Sequence, residues 1–122
     1  MPKQKTIPQL LKQAQVVFNA FIRQRDKDKG CISCGGSVDH AGHYFSAGHY
    51  SAYRFNEMNT NGQCLRCNNF LSGNLINYRK GLISRYGESA VKQLEDMAEL
   101  RKATKWDRFT LEQIIKTYKL LP

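Results

Sequence analysis

Two Cys-x-x-Cys pairs constrain the fold of this chain more than any other feature. They are Cys31-Ile-Ser-Cys34 and Cys64-Leu-Arg-Cys67, and they hold all four cysteines of the chain. A two-residue gap lets both thiolates of a pair turn onto one ion, and two pairs complete the tetrahedral set of a structural zinc site. The spacing therefore predicts a structural Zn²⁺ with no open position for catalysis. Buried thiols or redox cysteines are the alternative.

The charge of the chain is strongly positive and unevenly distributed. Lys and Arg number 19 against 10 Asp and Glu, which gives a net charge of +9 and a pI near 9.6. Such a chain is attracted to polyanions, and nucleic acid is the first candidate. Between residues 31 and 67 the only Lys or Arg side chains are Arg54 and Arg66. The middle of the chain is therefore chemically specialised, and the flanks carry the charge.

The sequence lacks the marks of a membrane or secreted protein. No apolar run is long enough to span a bilayer, and the first residues lack the apolar stretch of a secretory signal. We expect a protein of the cytoplasm, where the reducing environment favours metal-bound cysteines over disulfides.

Hydrophobic periodicity predicts helices at both ends of the chain. Apolar residues recur every three or four positions over residues 6–27, with Pro8 in the first turn. Residues 31–63 are rich in glycine and aromatic side chains, which favours short strands over 38–45 and 52–55. The helices predicted after Cys64 cover residues 65–71, 75–86, 89–102 and, from a capping box at Thr110–Gln113, about 110–120.

One domain is expected from this length and pattern. Its parts are an N-terminal helix (1–30), a zinc-bound core (31–80) and C-terminal helices (81–122). This arrangement predicts the α+β class.

The order of polar side chains around the second cysteine pair resembles the HNH, or ββα-metal, nucleases. In that family a strand histidine precedes a loop asparagine and a third His or Asn on a helix, and His43, Asn59 and Asn68 follow this order. Within the superfamily the chain resembles phage recombination endonucleases of the NinG/Rap type. The blocks that carry this closer resemblance are FNAFIRQRD (18–26), CISCG (31–35), AGHY (41–44), RFNEMN (54–59), QCLRCN (63–68), SGNLINYR (72–79) and LISRYG (82–87).

The resemblance covers about residues 15–95 and implies both a fold and an activity. The fold is a zinc-bound ββα-metal (HNH) finger flanked by N- and C-terminal helices. The activity is metal-dependent hydrolysis of phosphodiester bonds in branched DNA, including Holliday junctions and D-loops, during phage or prophage recombination in the bacterial host. His43, Asn59 and Asn68 are the catalytic residues that it implies.

The residue types suit such a reaction. A neutral histidine, with an ordinary pKa of about 6.5, can take a proton from water at physiological pH. One divalent ion, Mg²⁺ or Mn²⁺, can hold a phosphate oxygen and the leaving oxygen. The side-chain oxygen of Asn68 can bind that ion without adding negative charge beside the DNA. Asn59 is expected to fix the loop that bears the base.

Two histidines compete for the role of base. His43 and His49 stand in identical Ala-Gly-His-Tyr tetrapeptides, but His43 lies 16 residues before Asn59 and His49 only 10. Ten residues leave little room for a strand, a turn and a loop, and the resemblance also points to the first copy. We expect His43 to be the base and His49 to lie in the following turn.

The chain departs from the HNH pattern at two positions. Gly42 replaces the acidic residue that often precedes the catalytic histidine. Residues 40 and 42 face the same side of a strand, so His40 is expected to reach that space and bind the ion, with Asp39 as the alternative. A His40 ligand would favour Mn²⁺ or a softer ion. Leu71 replaces a phosphate-contacting lysine, and the candidate substitutes are Arg54, Arg66, Arg79 and Lys80.

Two other functions remain open at this point. The chain would also suit a general HNH nicking or restriction-type nuclease on duplex DNA, or a non-catalytic zinc module that only binds DNA. Symmetric cutting of a junction would require a homodimer. The candidate contact is the last predicted helix, through Leu111, Ile114, Ile115 and Tyr118.

Overall fold

The computed structural model describes residues 4–119 as a helix-rich α+β fold with one two-stranded sheet. The helices are α1 (Ile7–Asp26), α2 (Leu75–Tyr86), α3 (Glu88–Leu100) and α4 (Arg108–Tyr118), and the strands are β1 (His40–His43) and β2 (Thr60–Gln63). Two short helices, of the 3-10 type at Ser51–Tyr53 and of the π type at Arg66–Phe70, lie between these elements. Across residues 4–119, none of the helices has the length and apolar character needed to span a membrane.

The predicted N-terminal helix is confirmed. It begins after Thr6, whose hydroxyl accepts from the Gln9 N–H while the Gln9 side chain accepts from the Thr6 N–H, so two unpaired amides of the first turn are satisfied. The buried face of α1 repeats at four-residue intervals, which is the spacing of one helix face. Its apolar members are Leu10, Ala14, Phe18 and Ile22.

The sheet pairs β1 with β2 in antiparallel register, from His40 opposite Gln63 to His43 opposite Thr60. The first strand lies within the predicted range 38–45, but the predicted partner at 52–55 is wrong. Residues Ser51–Tyr53 are helical, and the partner strand is the polar segment Thr60–Gln63, which is buried throughout. A hydropathy pattern cannot reveal such a strand, because its buried side chains are polar and are stabilised by hydrogen bonds rather than by apolar contacts.

A buried carboxylate joins α1 to the sheet and to α2. Asp26 pairs with Arg25 at 2.7 Å and with Arg85 at 3.5 Å, and its Oδ2 accepts from the Gly62 N–H at 2.8 Å. Burial raises the pKa of Asp26, but the hydrogen bonds from Arg25 and Gly62 and the two positive charges outweigh burial and lower it. In the sequence Asp26 is only the last residue of the block FNAFIRQRD (18–26), near the end of the predicted helix.

The central helices pack against the first cysteine pair. α2 matches the predicted range 75–86 and approaches the backbone closely at Gly81, where a Cβ would stand 2.0 Å from the Ile32 carbonyl oxygen. In α3 the apolar stripe is core, since Val91, Leu94 and Ala98 are buried.

The predicted boundary after residue 80, between the core and the C-terminal helices, falls inside α2.

The last helix has a different cap from the predicted one. Asp107 is the N-cap and its Oδ1 accepts from the Thr110 N–H at 2.7 Å, so Thr110 lies inside α4 rather than before it. An aspartate three residues earlier is the stronger cap. The predicted end near residue 120 lies outside the described residues.

The apolar face of α4 is used within the chain. Leu111 is buried against Leu10 and Ala14 of α1, and the Tyr118 ring meets the Phe18 ring at a centroid distance of 4.9 Å. The helix that the sequence suggested as a dimer contact is therefore occupied by α1. A homodimer through another surface stays a prediction.

Candidate active site and metal centre

The four cysteines come together as predicted. Their Sγ atoms all lie within 4.8 Å of one another, and those of Cys34 and Cys64 are 3.6 Å apart. Zinc–sulfur bonds of about 2.3 Å place tetrahedral sulfurs about 3.8 Å apart. Cys31 and Cys67 are buried, whereas Cys34 is exposed. The cluster has the ligands and the dimensions to bind a zinc ion.

The thiols of this cluster differ in acidity. The Cys67 N–H, as the main influence, lowers the pKa of Cys64 to about 7, while burial raises the pKa of Cys67 to about 12. A cation among the sulfurs would compensate the charge of four thiolates that otherwise repel one another. The donor set therefore fits a thiophilic divalent ion.

His43 is the last residue of β1, and one of its ring nitrogens is fixed by the backbone. Nε2 lies 2.9 Å from the Arg54 carbonyl oxygen. A carbonyl only accepts, so Nε2 carries the proton and the lone pair of the neutral ring is on Nδ1. Burial lowers the pKa of His43, the Arg54 carbonyl partly offsets this, and the Arg54 charge lowers it further. The ring is therefore neutral at physiological pH, the state that a general base requires.

His49 has a different environment. It is exposed in the turn that follows β1, and its ring Nδ1 lies 3.0 Å from the Ser46 hydroxyl. The same hydroxyl accepts from the His49 N–H at 3.3 Å. These contacts are local to the turn, as expected for the second copy of the tetrapeptide.

Asn59 fixes the segment that follows the candidate base. Its side chain is fully buried, with Oδ1 accepting from the Phe45 N–H at 2.8 Å. Its Nδ2 donates to the carbonyls of Phe45 at 3.0 Å and Tyr53 at 3.2 Å. All three of these hydrogen bonds join the Asn59 side chain to the backbone. They make Asn59 a positioning residue for the β1 end and the following loop.

Tyr78 of α2 is a positioning residue that the sequence reading missed. Its buried hydroxyl donates to the Gly42 carbonyl at 2.7 Å, next to His43, and accepts from Asn61 Nδ2 at 3.2 Å. In the sequence Tyr78 lies in the helix predicted over 75–86 and in the block SGNLINYR (72–79), and neither predicts its hydrogen bond. The available signal was the residue type, because a buried tyrosine hydroxyl needs a polar partner.

The space beside Gly42 is lined by two amide oxygens. A Cβ at Gly42 would stand 1.8 Å from Gln63 Oε1 and 3.0 Å from Asn68 Oδ1. Asn68 therefore lies beside the residue that precedes His43. Gln63, the partner of His40 across the sheet, places its Oε1 at this position. His40 as a metal ligand stays a prediction.

Asp39 supports the second cysteine pair. Its Oδ2 accepts from the Leu65 N–H at 2.9 Å and from the Ser37 hydroxyl at 3.3 Å. This oxygen therefore stabilises the turn that starts at Cys64. A role for Asp39 as ligand of a catalytic ion stays a prediction.

The four basic residues predicted to contact DNA fall into two groups. Arg66 and Lys80 are exposed. Arg54 is half-buried and donates to Gln15 Oε1 at 3.1 Å. Arg79 binds Glu95 through two hydrogen bonds of 2.8 and 3.0 Å. Arg66 and Lys80 are thus better placed to meet a phosphate than Arg54 and Arg79.

Comparison with known proteins connects this chain to one phage family. The family described as "Bacteriophage Lambda NinG protein" matches residues 2–121. The "Protein ninG" of Escherichia phage lambda is 50% identical over 88 residues, which is 70% of this chain and 43% of that protein. Those of Escherichia phage 933W and Salmonella phage P22 are each 48% identical over 88 residues, covering 44% and 43% of their lengths.

The chain spans less than half the length of the curated relatives it matches. No solved structure is significantly similar to it.

Proposed function

We propose that this chain, which belongs to the NinG family of phage proteins, is a metal-dependent DNA endonuclease of the HNH type. Its proposed substrate is branched DNA, such as Holliday junctions and D-loops, during phage or prophage recombination in the host cytoplasm. The observation that carries the proposal is the state of His43: a neutral ring with the proton on Nε2 and the lone pair on Nδ1.

The proposed reaction is hydrolysis with a water nucleophile. His43 Nδ1 takes a proton from the water that attacks phosphorus, and the 3′ oxygen leaves, which yields 5′-phosphate and 3′-hydroxyl ends. The Arg54 carbonyl holds the imidazole throughout and stabilises the positive charge that it gains. Asn59 and Tyr78 keep the strand end in place from two sides.

A divalent ion, Mg²⁺ or Mn²⁺, fits the residues next to this base. Asn68 Oδ1 lies against Gly42, and the Cα atoms of Gly42 and His43 are neighbours about 3.8 Å apart. When bound, such an ion would neutralise the negative charge that develops on the phosphate and the leaving oxygen. Asn68 would hold it, beside the base that deprotonates the water.

The proposed fold of the centre is a ββα-metal finger made of β1, β2 and the helical segment after Cys64. In it the zinc ion of the four cysteines is structural, because four thiolates leave no position for water or substrate. It fixes the two segments that bracket the sheet, since Cys31 and Cys34 precede β1 and Cys64 and Cys67 follow β2.

The net charge of +9 supports DNA as the partner. Exposed Arg66 and Lys80 lie near Asn68 and on α2, where a phosphate backbone that reaches the site could be held. Removal of either is expected to weaken binding for all DNA sequences alike and to reduce its salt dependence.

A cleavage assay with end-labelled DNA tests the proposal. A four-way junction and a linear duplex of the same sequence are incubated with Mg²⁺, with Mn²⁺ or with a chelator, and the product ends are identified. We expect metal-dependent cleavage that is faster on the junction and leaves 5′-phosphates. Equal rates on both substrates would favour a general HNH nuclease. Salt-sensitive binding without any cleavage would favour a non-catalytic zinc module.

A further inference from the structure

Gln63 is a buried polar side chain that the proposed reaction leaves without a role. It is the last residue of β2 and is fully buried. Its Nε2 donates to the Gly73 carbonyl at 2.7 Å and to the Ser33 hydroxyl at 2.9 Å. Its Oε1 is also buried, yet within residues 4–119 it has no hydrogen-bond partner. An unpaired buried acceptor loses its hydrogen bonds to water without replacement, so it calls for a ligand.

The hydrogen bonds of Gln63 determine which way its amide faces. Oxygen and nitrogen of an amide are assigned from their partners, and the Gly73 carbonyl can only accept. The nitrogen must therefore face Gly73, and Oε1 must face the opposite way. The unpaired oxygen is not an effect of a reversed amide.

The direction in which Oε1 points leads to Gly42 and Asn68. The position of a Cβ on Gly42 lies 1.8 Å from Gln63 Oε1 and 3.0 Å from Asn68 Oδ1, so Oε1 fills the place of a side chain at residue 42 and Asn68 Oδ1 lies beside it. Amide oxygens are the ligand type that Mg²⁺ and Mn²⁺ prefer. This space adjoins the residue before the candidate base.

We propose that Gln63 Oε1 is a ligand of the divalent cation, next to Asn68 Oδ1. This inference rests on the proposed function, which requires the cation. In this assignment Gln63 of β2 takes the role of the acidic residue that often directly precedes the catalytic histidine in HNH nucleases. Because both ligands are neutral, the ion keeps its full charge for the phosphate.

Mn²⁺ binding without DNA tests this assignment. The zinc-loaded protein is titrated with Mn²⁺, and free Mn²⁺ is followed by its electron paramagnetic resonance signal. Gln63→Met keeps the length of the side chain and removes the oxygen, and it should weaken Mn²⁺ binding at least about tenfold. Gln63→Glu keeps an oxygen at this position and adds a negative charge once it loses the proton that must face the Gly73 carbonyl, so its Mn²⁺ binding should tighten beyond that of the wild type as the pH is raised. The control Ser33→Ala removes one hydrogen bond of Nε2 and should change affinity less than about twofold.

The result that overturns the assignment is equal Mn²⁺ affinity in the wild type, Gln63→Met and Gln63→Glu. That result is expected if the Asn68 amide is turned so that its nitrogen donates to Gln63 Oε1. If Gln63→Met loses its zinc and does not fold, the gain in Gln63→Glu decides alone.

Junction cleavage, measured on the same preparations, separates the two proposals. If the protein cleaves the junction but its Mn²⁺ affinity does not depend on Gln63, Gln63 is rejected as a ligand and the nuclease proposal stands. Gln63-dependent binding without cleavage supports the cation site and rejects the nuclease.

Discussion

The two Ala-Gly-His-Tyr copies have the same four residues and different environments. The first, residues 41–44, ends β1 in a half-buried position, and the His43 ring is held by the Arg54 carbonyl. The second, residues 47–50, forms a turn in which the exposed His49 hydrogen-bonds through its ring to the Ser46 hydroxyl. Identical local sequence therefore gives a histidine with a lowered pKa in one copy and a solvent-exposed turn histidine in the other.

The difference comes from contacts distant in sequence. The Tyr78 hydroxyl of α2 donates to the Gly42 carbonyl within the first copy, and Asn59, the residue before β2, holds Phe45 directly after the copy. The hydrogen bonds of His49 in the second copy are to Ser46, three residues away. Position in the tertiary structure, rather than the tetrapeptide, makes His43 the candidate base.

The largest expected effect is that of removing each histidine in turn. His43→Ala should reduce single-turnover cleavage of a four-way junction about 10²–10⁴-fold, because the base is lost. His49→Ala should change it less than about twofold. Both variants should keep their zinc, as measured by metal analysis. A comparable loss of cleavage in both would remove the distinction between the copies.

A smaller effect is expected from Asn59→Ala. This change leaves the Phe45 N–H and two carbonyls without their buried partner, so the free energy of unfolding should fall by about 1–3 kcal/mol. Cleavage should fall roughly tenfold as the β1 end becomes less well positioned. Urea unfolding and single-turnover rates measure the two effects, and Asn77→Ala, an exposed asparagine of α2, is the control. Full cleavage by a destabilised Asn59→Ala protein would contradict a positioning role.

The next effect in size is that of Tyr78→Phe. This change removes only the hydroxyl that donates a hydrogen bond to the Gly42 carbonyl. We therefore expect the free energy of unfolding to fall by about 1 kcal/mol and junction cleavage to fall severalfold. The matched control is Tyr86→Phe, an exposed tyrosine of the same helix. If both tyrosine variants cleave at the wild-type rate, α2 does not position the first copy.

The smallest effect is expected in the second copy. Ser46→Ala removes the partner of the His49 ring and N–H in an exposed turn. Stability should change by no more than about 0.5 kcal/mol and cleavage less than about twofold. A strong loss of cleavage would show that this turn has a role that its exposure does not indicate.

Local patterns predicted most of the helices and the cysteine cluster. α1 and α2 follow amphipathic periodicity within a residue of the expected ends, and the two-residue gaps brought Cys31, Cys34, Cys64 and Cys67 together. The amphipathic periodicity and the cysteine spacing both involve residues close together in the sequence, so both can be recognised in one sequence.

The parts that the sequence did not predict depend on distant polar contacts. β2 is Thr-Asn-Gly-Gln, which has no apolar alternation, and it is buried because Asn61 and neighbouring polar groups find partners on other elements. Gln63 beside Gly42 could not be foreseen for the same reason, since its position follows from the register with His40. The charge cluster of Asp26 likewise joins residues far apart in the chain.

The measurement that tests the different roles of the copies most directly is the pH dependence of single-turnover junction cleavage. Only neutral His43 can accept a proton, and burial lowers its pKa, so the rate should fall with decreasing pH at an apparent pKa below the ordinary value of about 6.5. We predict this acid limb in the wild type and in His49→Ala, and its absence from the residual cleavage of His43→Ala. An acid limb that persists in His43→Ala and disappears in His49→Ala would contradict the assignment of the base to the first copy.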